Sequence, residues 1–457
     1  MQMDAEQLFN NAAVIEDEMS WFREVLERRF KLHGEALEGD PLFEIGPPRL
    51  PDVKAPYADV VRQFDMEPAE RLLLILSYIP SVKPDLLDPF FIQNPSTQRR
   101  FTEFGGLTGL AHGGIVPTGE TAMFLLAGDD IKARLRFHYL FSHEHYLFTN
   151  NILQLESRQS QEEPPLASLL LLSAEYRERL TTGSSYHPPL SPEFPAQRIT
   201  TPYEWDDLVL EPQARQEVED IAVWVRHEST LLHEWGLKKR LKPGFRSLFY
   251  GPPGTGKTMT ASLLGKITGL PVYRIDLSKV VSKYIGETEK NLASLFDQAQ
   301  HQNWILFFDE ADSLFGKRTE SRDANDRAAN QQISYLLQRI EDFPGISILA
   351  TNLRSHLDDA FARRFQSMIH FPMPNAEQRL RLWEENFKHK PYCLARDVSL
   401  EQLAHDYELS GGSIINVLRY ACLKAVVRTP PEIRGSDLIK GVRRELQKEG
   451  KFLKQTS

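Results

Sequence analysis

Phe249-Tyr250-Gly251-Pro252-Pro253-Gly254-Thr255-Gly256-Lys257-Thr258 carries the spacing G-x-x-x-x-G-K-[ST] of a phosphate-binding loop. Apolar Leu248-Phe249-Tyr250 reads as a buried strand leading in, and Met259-Thr260-Ala261-Ser262-Leu263-Leu264 as a helix leading out. Glycines let successive backbone N–H groups converge on phosphate oxygens, and the helix behind them presents its positive end. In that arrangement Lys257 reaches the β- and γ-phosphates, and the Thr258 hydroxyl ligates Mg2+. The bland alternative is a glycine-rich turn that matches by accident. Flanking strand and helix argue against it, so nucleotide binding is expected.

Three later stretches supply what such a loop needs for chemistry. Trp304-Ile305-Leu306-Phe307-Phe308 is an apolar run that ends in Asp309-Glu310-Ala311-Asp312, about fifty residues beyond Thr258. Five apolar residues make a strand buried on both faces. Asp309 at its tip can hold Mg2+, and Glu310 can polarise water towards the γ-phosphate. Ile346–Thr351 reads as a further strand, and Asn352 after it can orient that water or merely cap a turn. Arg363 and Arg364 adjoin in a loop. Their guanidinium groups suit a developing phosphate charge, and a solvated basic pair is the plain alternative.

Strand-like and helical segments alternate after residue 202, which implies a parallel α/β sheet. The candidate strands are Ser247–Tyr250, Val272–Asp276, Trp304–Phe308, Ile346–Ala350 and Met368–Phe371. From Asn375 onward only helices are expected, around 375–388, 399–406, 412–428 and 436–448.

With these motifs in order, residues 201–450 resemble an AAA+ ATPase of the AAA clade. Gly251–Thr258 is similar to its Walker A motif, Ile305–Glu310 to Walker B, and Asn352 to sensor 1. Arg363 and Arg364 resemble the arginine fingers that reach a neighbouring subunit's nucleotide. Trp205-Asp206-Asp207-Leu208-Val209 resembles the segment whose backbone recognises adenine. The likeness places Asp207, Val209, Gly251 to Met259 and Asp309 around ATP, and Thr258 and Asp309 on Mg2+. Lys283-Tyr284-Ile285 resembles the first pore loop, whose aromatic residue grips polypeptide, and the charge-rich Gly316–Ala329 resembles the second. A tyrosine packed locally and a solvated loop are the alternatives. Leu409 to Ile414 resembles the start of the sensor 2 helix. Two departures stand out. The two arginines adjoin where many relatives separate them by two residues, leaving open which one is the finger. Gly412 stands where other branches carry a sensor 2 arginine.

A chain of 457 residues, 41% hydrophobic and 26% charged, has material for several ordinary globular domains. Cys393 and Cys422 are its two cysteines, which excludes a disulfide framework or cysteine-ligated zinc. The N-terminus lacks a basic stretch followed by an apolar core, so no secretion signal and a cytoplasmic location are expected. No apolar run is long enough for a bilayer. Residues 1–200 hold 18 Lys/Arg against 29 Asp/Glu, a net −11, while residues 201–457 hold 36 against 34. That acidity argues against a nucleic-acid partner there.

The expected layout is an amphipathic helix within 1–45, an α-rich winged-helix-like domain at 57–183 and a proline-rich linker at 184–202. A large ATPase subdomain at 203–373 and a helical lid at 374–457 follow. Within the first helix, Leu8, Ala12, Ile15, Met19, Phe22 and Leu26 recur in steps of four and three. This spacing suits either a coiled-coil seam or packing on the helix's own domain. Glu67–Tyr78 and Glu120–Phe141 read as helices and Asn151–Leu155 as a strand. His138, His143 and His145 lack the carboxylate spacing of a metal site. Gly113–Leu126, residues 164–169, Glu234–Leu237 and Asp359–Phe365 resemble AAA+ ATPases encoded beside bacterial extracellular contractile injection systems. The family likeness implies an ATP-hydrolysing ring homo-oligomer, a hexamer, that remodels or threads protein. The alternative is a DNA-associated motor or loader using the winged-helix-like domain.

Overall fold

The computed structural model describes residues 3–35, 39–109, 111, 113–157, 163–184, 186, 188, 190–191, 194–277, 287–312, 334–352, 362–387, 393–448 and 450. The chain divides into two compact units, Met1–His187 and Pro188–Ser457. Among the described residues no helix is long and apolar enough to cross a membrane.

The first unit is helix-rich and starts with Ala5–Gly34. Asp4 and Gln7 form its capping box, the Asp4 carboxylate accepting the Gln7 N–H at 2.8 Å. The helix packs within its own unit, against Pro56–Gln63 and Pro68–Val82. Its buried face is not the one the four-and-three spacing implies. Leu8 is 55% exposed and Ala12 is exposed, whereas Val14, Trp21, Phe22, Val25 and Leu32 are buried. A stripe read at 3.5 residues per turn drifts off a straight helix of 3.6. Between this helix and its neighbour, Glu18 and Arg71 form a buried ion pair. Burial pushes the Glu18 carboxyl up, and the Arg71 hydrogen bond opposes the shift.

The single helix expected over 120–141 is broken. Gly119–Ala127 ends at Gly128 with φ +56°, and Asp130 caps the separate helix Ile131–Phe137. β1 (Leu107–Thr108) pairs antiparallel with β2 (Ile115–Val116), and β3 (Leu153–Glu156) with β4 (Leu169–Leu172). His145 sits 3.3 Å from Glu70 and accepts the Leu147 N–H, closing a short turn.

The second unit is built on a six-stranded sheet. β5 (Ala196–Ile199), β6 (Phe245–Tyr250), β7 (Val272–Asp276), β8 (Ile305–Asp309), β9 (Ile346–Thr351) and β10 (Ser367–His370) lie in the order β10-β6-β9-β8-β7-β5. All neighbours run parallel except β5, which closes the edge antiparallel to β7. The proline-rich stretch is therefore not linker throughout, because its end donates a strand. Alternation along the strands builds a core on each face. Tyr273, Ile275, Leu306, Phe308 and Leu349 lie on one side, and Phe249, Val272, Ile305, Phe307 and Ile348 on the other. That two-sided burial is why these strands read as unbroken apolar runs.

The helices Ala376–Phe387, Leu400–Asp406, Gly411–Ala425 and Gly435–Lys448 enclose a further core around Trp383, Val417 and Val442. The expectation of helices alone in this region does not hold. β11 (Cys393–Leu394) and β12 (Glu432–Ile433) pair in parallel, two residues each, too short to register as strands by periodicity.

Trp304 locks β5 to the sheet. Its ring lies 4.0 Å from Tyr273 and 5.8 Å from Phe194, just ahead of β5, and it is 1% exposed. Trp304→Ala should destabilise the second unit by about 3–5 kcal/mol in denaturant melts. A loss within experimental error would remove Trp304 from the core.

Candidate nucleotide-binding site

β6, β8 and β9 are parallel, so their carboxyl ends open on one edge of the sheet. β6 connects across the sheet to β7, while β10 flanks it on the other side, and such a crevice is where a doubly wound sheet takes its ligand. Gly251 leaves β6 at φ +146°, and a Cβ on it would lie 2.1 Å from the Phe371 carbonyl oxygen. Only glycine fits there. Gly256, at φ +102°, turns the chain into the helix Lys257–Thr268, whose first turn carries Thr258 and Met259 half-buried.

Lys257 is 8% exposed, and its amine donates to three oxygens. They are Gly251 O at 2.7 Å, Pro252 O at 2.9 Å and Asn352 Oδ1 at 2.9 Å. All three ammonium donors are satisfied, which is what a buried lysine requires. Burial pushes its pKa down to about 8, against the opposing charges of Asp309 and Asp312. The phosphate loop and the end of β9 are thus brought together as expected.

Asp309 ends β8, its Oδ1 accepting the Glu310 N–H at 3.0 Å. Glu310 is exposed and holds φ +54°, an uncommon conformation for a residue with a side chain. Motif spacing gives Asp312 no role, yet the fold does. Its Oδ1 accepts the Asn352 N–H at 3.1 Å and the Thr351 hydroxyl, so it sets where Asn352 points. A carboxylate two residues beyond Glu310, facing a strand that ends in Thr-Asn, was the available signal.

The helical region adds another group that motif spacing missed. Ser410 caps Gly411–Ala425, and Gly412 N–H donates to Gly254 O at 3.0 Å. A Cβ on Gly254 would sit 2.5 Å from Ser410 Oγ, so this glycine answers to a second element as well as to its φ of +76°. Arg381 donates to Asp206 O at 2.7 Å, joining the same region to the 205–209 segment. There Asp207 is exposed and accepts the Glu204 N–H, and Val209 is half-buried. Leu208 between them lies 3.9 Å from the Cβ position of Gly256.

Arg363 and Arg364 are not brought to this edge. They precede β10, hence lie where the parallel strands begin, opposite the carboxyl ends. Arg364 pairs with Glu341, while Arg363 is exposed. Lys283, Tyr284, Ile285 and Gly316–Ala329 lie outside the described residues.

The residues fit a magnesium nucleotide. A glycine-lined turn opens onto the N-terminus of a twelve-residue helix, with a buried amine behind it. Thr258 hydroxyl and Asp309 carboxylate are the hard oxygen donors that Mg2+ takes beside substrate phosphates. Among the described residues no three His, Cys, Asp or Glu side chains gather to hold a metal by themselves.

Residues 247–373 match the family model described as ATPase family associated with various cellular activities (AAA). The chain carries an AAA-family ATPase domain. Over 222 residues it is 33% identical to the uncharacterized AAA family ATPase y4kL of Sinorhizobium fredii, covering 48% of this chain and 63% of that one. A proteasome-activating nucleotidase of Methanocella arvoryzae is 33% identical over 228 residues, 48% of this chain and 54% of its own. A katanin p60 ATPase-like protein of Danio rerio is 32% identical over 250 residues, 50% of this chain and 49% of its own. The chain thus spans about half to just under two thirds of these relatives.

The Lys257 shift makes nucleotide affinity pH-dependent. Below pH 8 the folded AAA domain presents a charged amine. Above it the folded amine is neutral while an unfolded lysine is still charged, so bound phosphate must restore the proton. ATP affinity should therefore fall as pH rises through about 8, up to roughly tenfold per unit. Calorimetry in two buffers of different ionisation enthalpy reads the proton uptake. Lys257→Ala should bind weakly and without that dependence, and an equal dependence in the variant would assign it elsewhere.

Proposed function

We propose that this chain hydrolyses ATP at a site completed by a neighbouring copy in a hexameric ring, and uses the cycle to pull or remodel protein. Mg2+, held by Thr258 and Asp309, supplies neutralisation of phosphate charge. Lys257 binds the phosphates, Glu310 polarises the attacking water and Asn352 orients it. Arg363, exposed at the opposite sheet edge, is the better placed of the two arginines to serve a neighbour's site, because Arg364 is paired with Glu341. The observation that carries the reading is the bond between Lys257 and Asn352, which puts the phosphate-binding amine and the water-orienting amide on one spot.

Work on protein is supported by Tyr284 in its pore-loop-like sequence and by a relative named for activating the proteasome. The acidity of residues 1–200 speaks for the same class of substrate over DNA. The narrower reading, a winged-helix-like first unit serving a contractile injection system in the cytoplasm, rests on the sequence likenesses alone.

Glu310→Gln keeps Asp309 and the side chain's size. It should still bind ATP, while turnover drops by roughly 10²–10⁴. Retained turnover would remove Glu310 as the base.

Tyr284→Ala should leave basal hydrolysis largely intact and abolish unfolding of a tagged model substrate. A fall in both activities together with the melting temperature would make Tyr284 a packing residue instead. Unchanged unfolding would end the threading mechanism.

A further inference from the structure

Arg274 stands in the middle of β7, one strand away from Asp309. In the parallel register Arg274 faces Phe307 and Asp276 faces Asp309. Arg274 and Asp309 are thus diagonal neighbours on one face of the sheet, within reach of a long side chain. That face is the one carrying Val272, Ile305 and Phe307, and the phosphate-loop helix packs on it through Ala261 and Leu264. Arg274 Nη2 lies 2.9 Å from Asp309 Oδ2, and Oδ1 of the same carboxylate accepts the Glu310 N–H. Each oxygen of the metal-binding carboxylate therefore has one partner already.

This is a costly way to fill a strand. The Arg274 Nε is buried and makes no hydrogen bond among the described residues. An aliphatic residue would pack that face without leaving a polar atom unpaired. Lys257 does not do the same task, since its three bonds go to Gly251, Pro252 and Asn352. The guanidinium is what answers the Asp309 charge.

We propose that Arg274 is the resident counter-ion of Asp309 and sets how strongly this site holds a divalent cation, so that metal enters only together with nucleotide. The inference rests on the nucleotide site proposed above. A cation ligated by Asp309 must share or displace the Oδ2 contact and meets a like charge beside it. Phosphates arriving with the metal bring the negative charge that offsets this, whereas a bare cation gains only one carboxylate and a hydroxyl.

The test is Mn2+ titration of the full chain, reading free Mn2+ by electron paramagnetic resonance, with and without ADP. Fluorescent ADP binding in EDTA is measured alongside. Wild type should take up Mn2+ only with ADP. Arg274→Gln should bind Mn2+ alone, and in the presence of ADP should bind it tighter by on the order of tenfold. Arg274→Lys, which keeps charge but loses the fork, should fall between. A merely structural arginine would leave the affinity unchanged or weaken it, and either result overturns the proposal. If Arg274→Gln does not fold, Arg274→Lys decides: tighter Mn2+ binding supports the proposal, and wild-type or weaker binding overturns it. A wild type that binds neither ADP nor Mn2+ would instead overturn the nucleotide site itself.

Discussion

A cationic amine buried at the end of a sheet has to be answered by oxygen, and Lys257 is answered from two places at once. Two acceptors are carbonyls of its own loop, and the third is the Asn352 amide beyond β9. The site therefore exists only while the loop after β6 and the end of β9 hold their relative positions. Six paired residues between those strands keep them so. The same burial that demands partners also lowers the amine's proton affinity, which ties the anchoring of the loop to its chemistry.

The sheet can supply this rigidity because both its faces are dry. Helices cover an apolar layer on each side, so β6, β8 and β9 cannot slip by one residue without turning both layers inside out. Polar groups then concentrate where the strands stop. Asp309, Glu310, Asp312, Thr351 and Asn352 all follow apolar runs, and the hydrogen bonds of Asp312 knit the ends of two strands together. The helical region closes on this edge through Gly412 and Gly254, where a side chain on Gly254 would intrude on Ser410.

Much of this was legible in the sequence. Every strand from β6 to β10 was placed within about two residues, because strands buried on both faces leave a run of apolar residues that needs no context to read. The loop was legible for a different reason. Glycine at fixed spacing before Lys-Thr reports a backbone that other residues cannot adopt, and Gly251 and Gly256 do adopt it. Reading failed where the signal was short or depended on rotation. β11 and β12 are two residues each, and the break at Gly128 hid inside an apolar stretch. The buried face of the first helix moved away from Leu8 and Ala12, because periodicity alone does not fix where a face begins.

By itself the sequence determined the chemistry available: an amine, a hydroxyl, carboxylates and an amide, each at the end of a recognisable element. Tertiary structure decided which of these meet. Asp312 became a partner of Asn352, Ser410 a neighbour of Gly254, and Arg274 the counter-charge of Asp309, although 35 residues or more separate each pair. It also carried Arg363 and Arg364 to the opposite edge from Lys257. The physical reason is common to all four. Spacing along a chain reports what lies within one element, whereas contacts across a sheet are set by strand order and register.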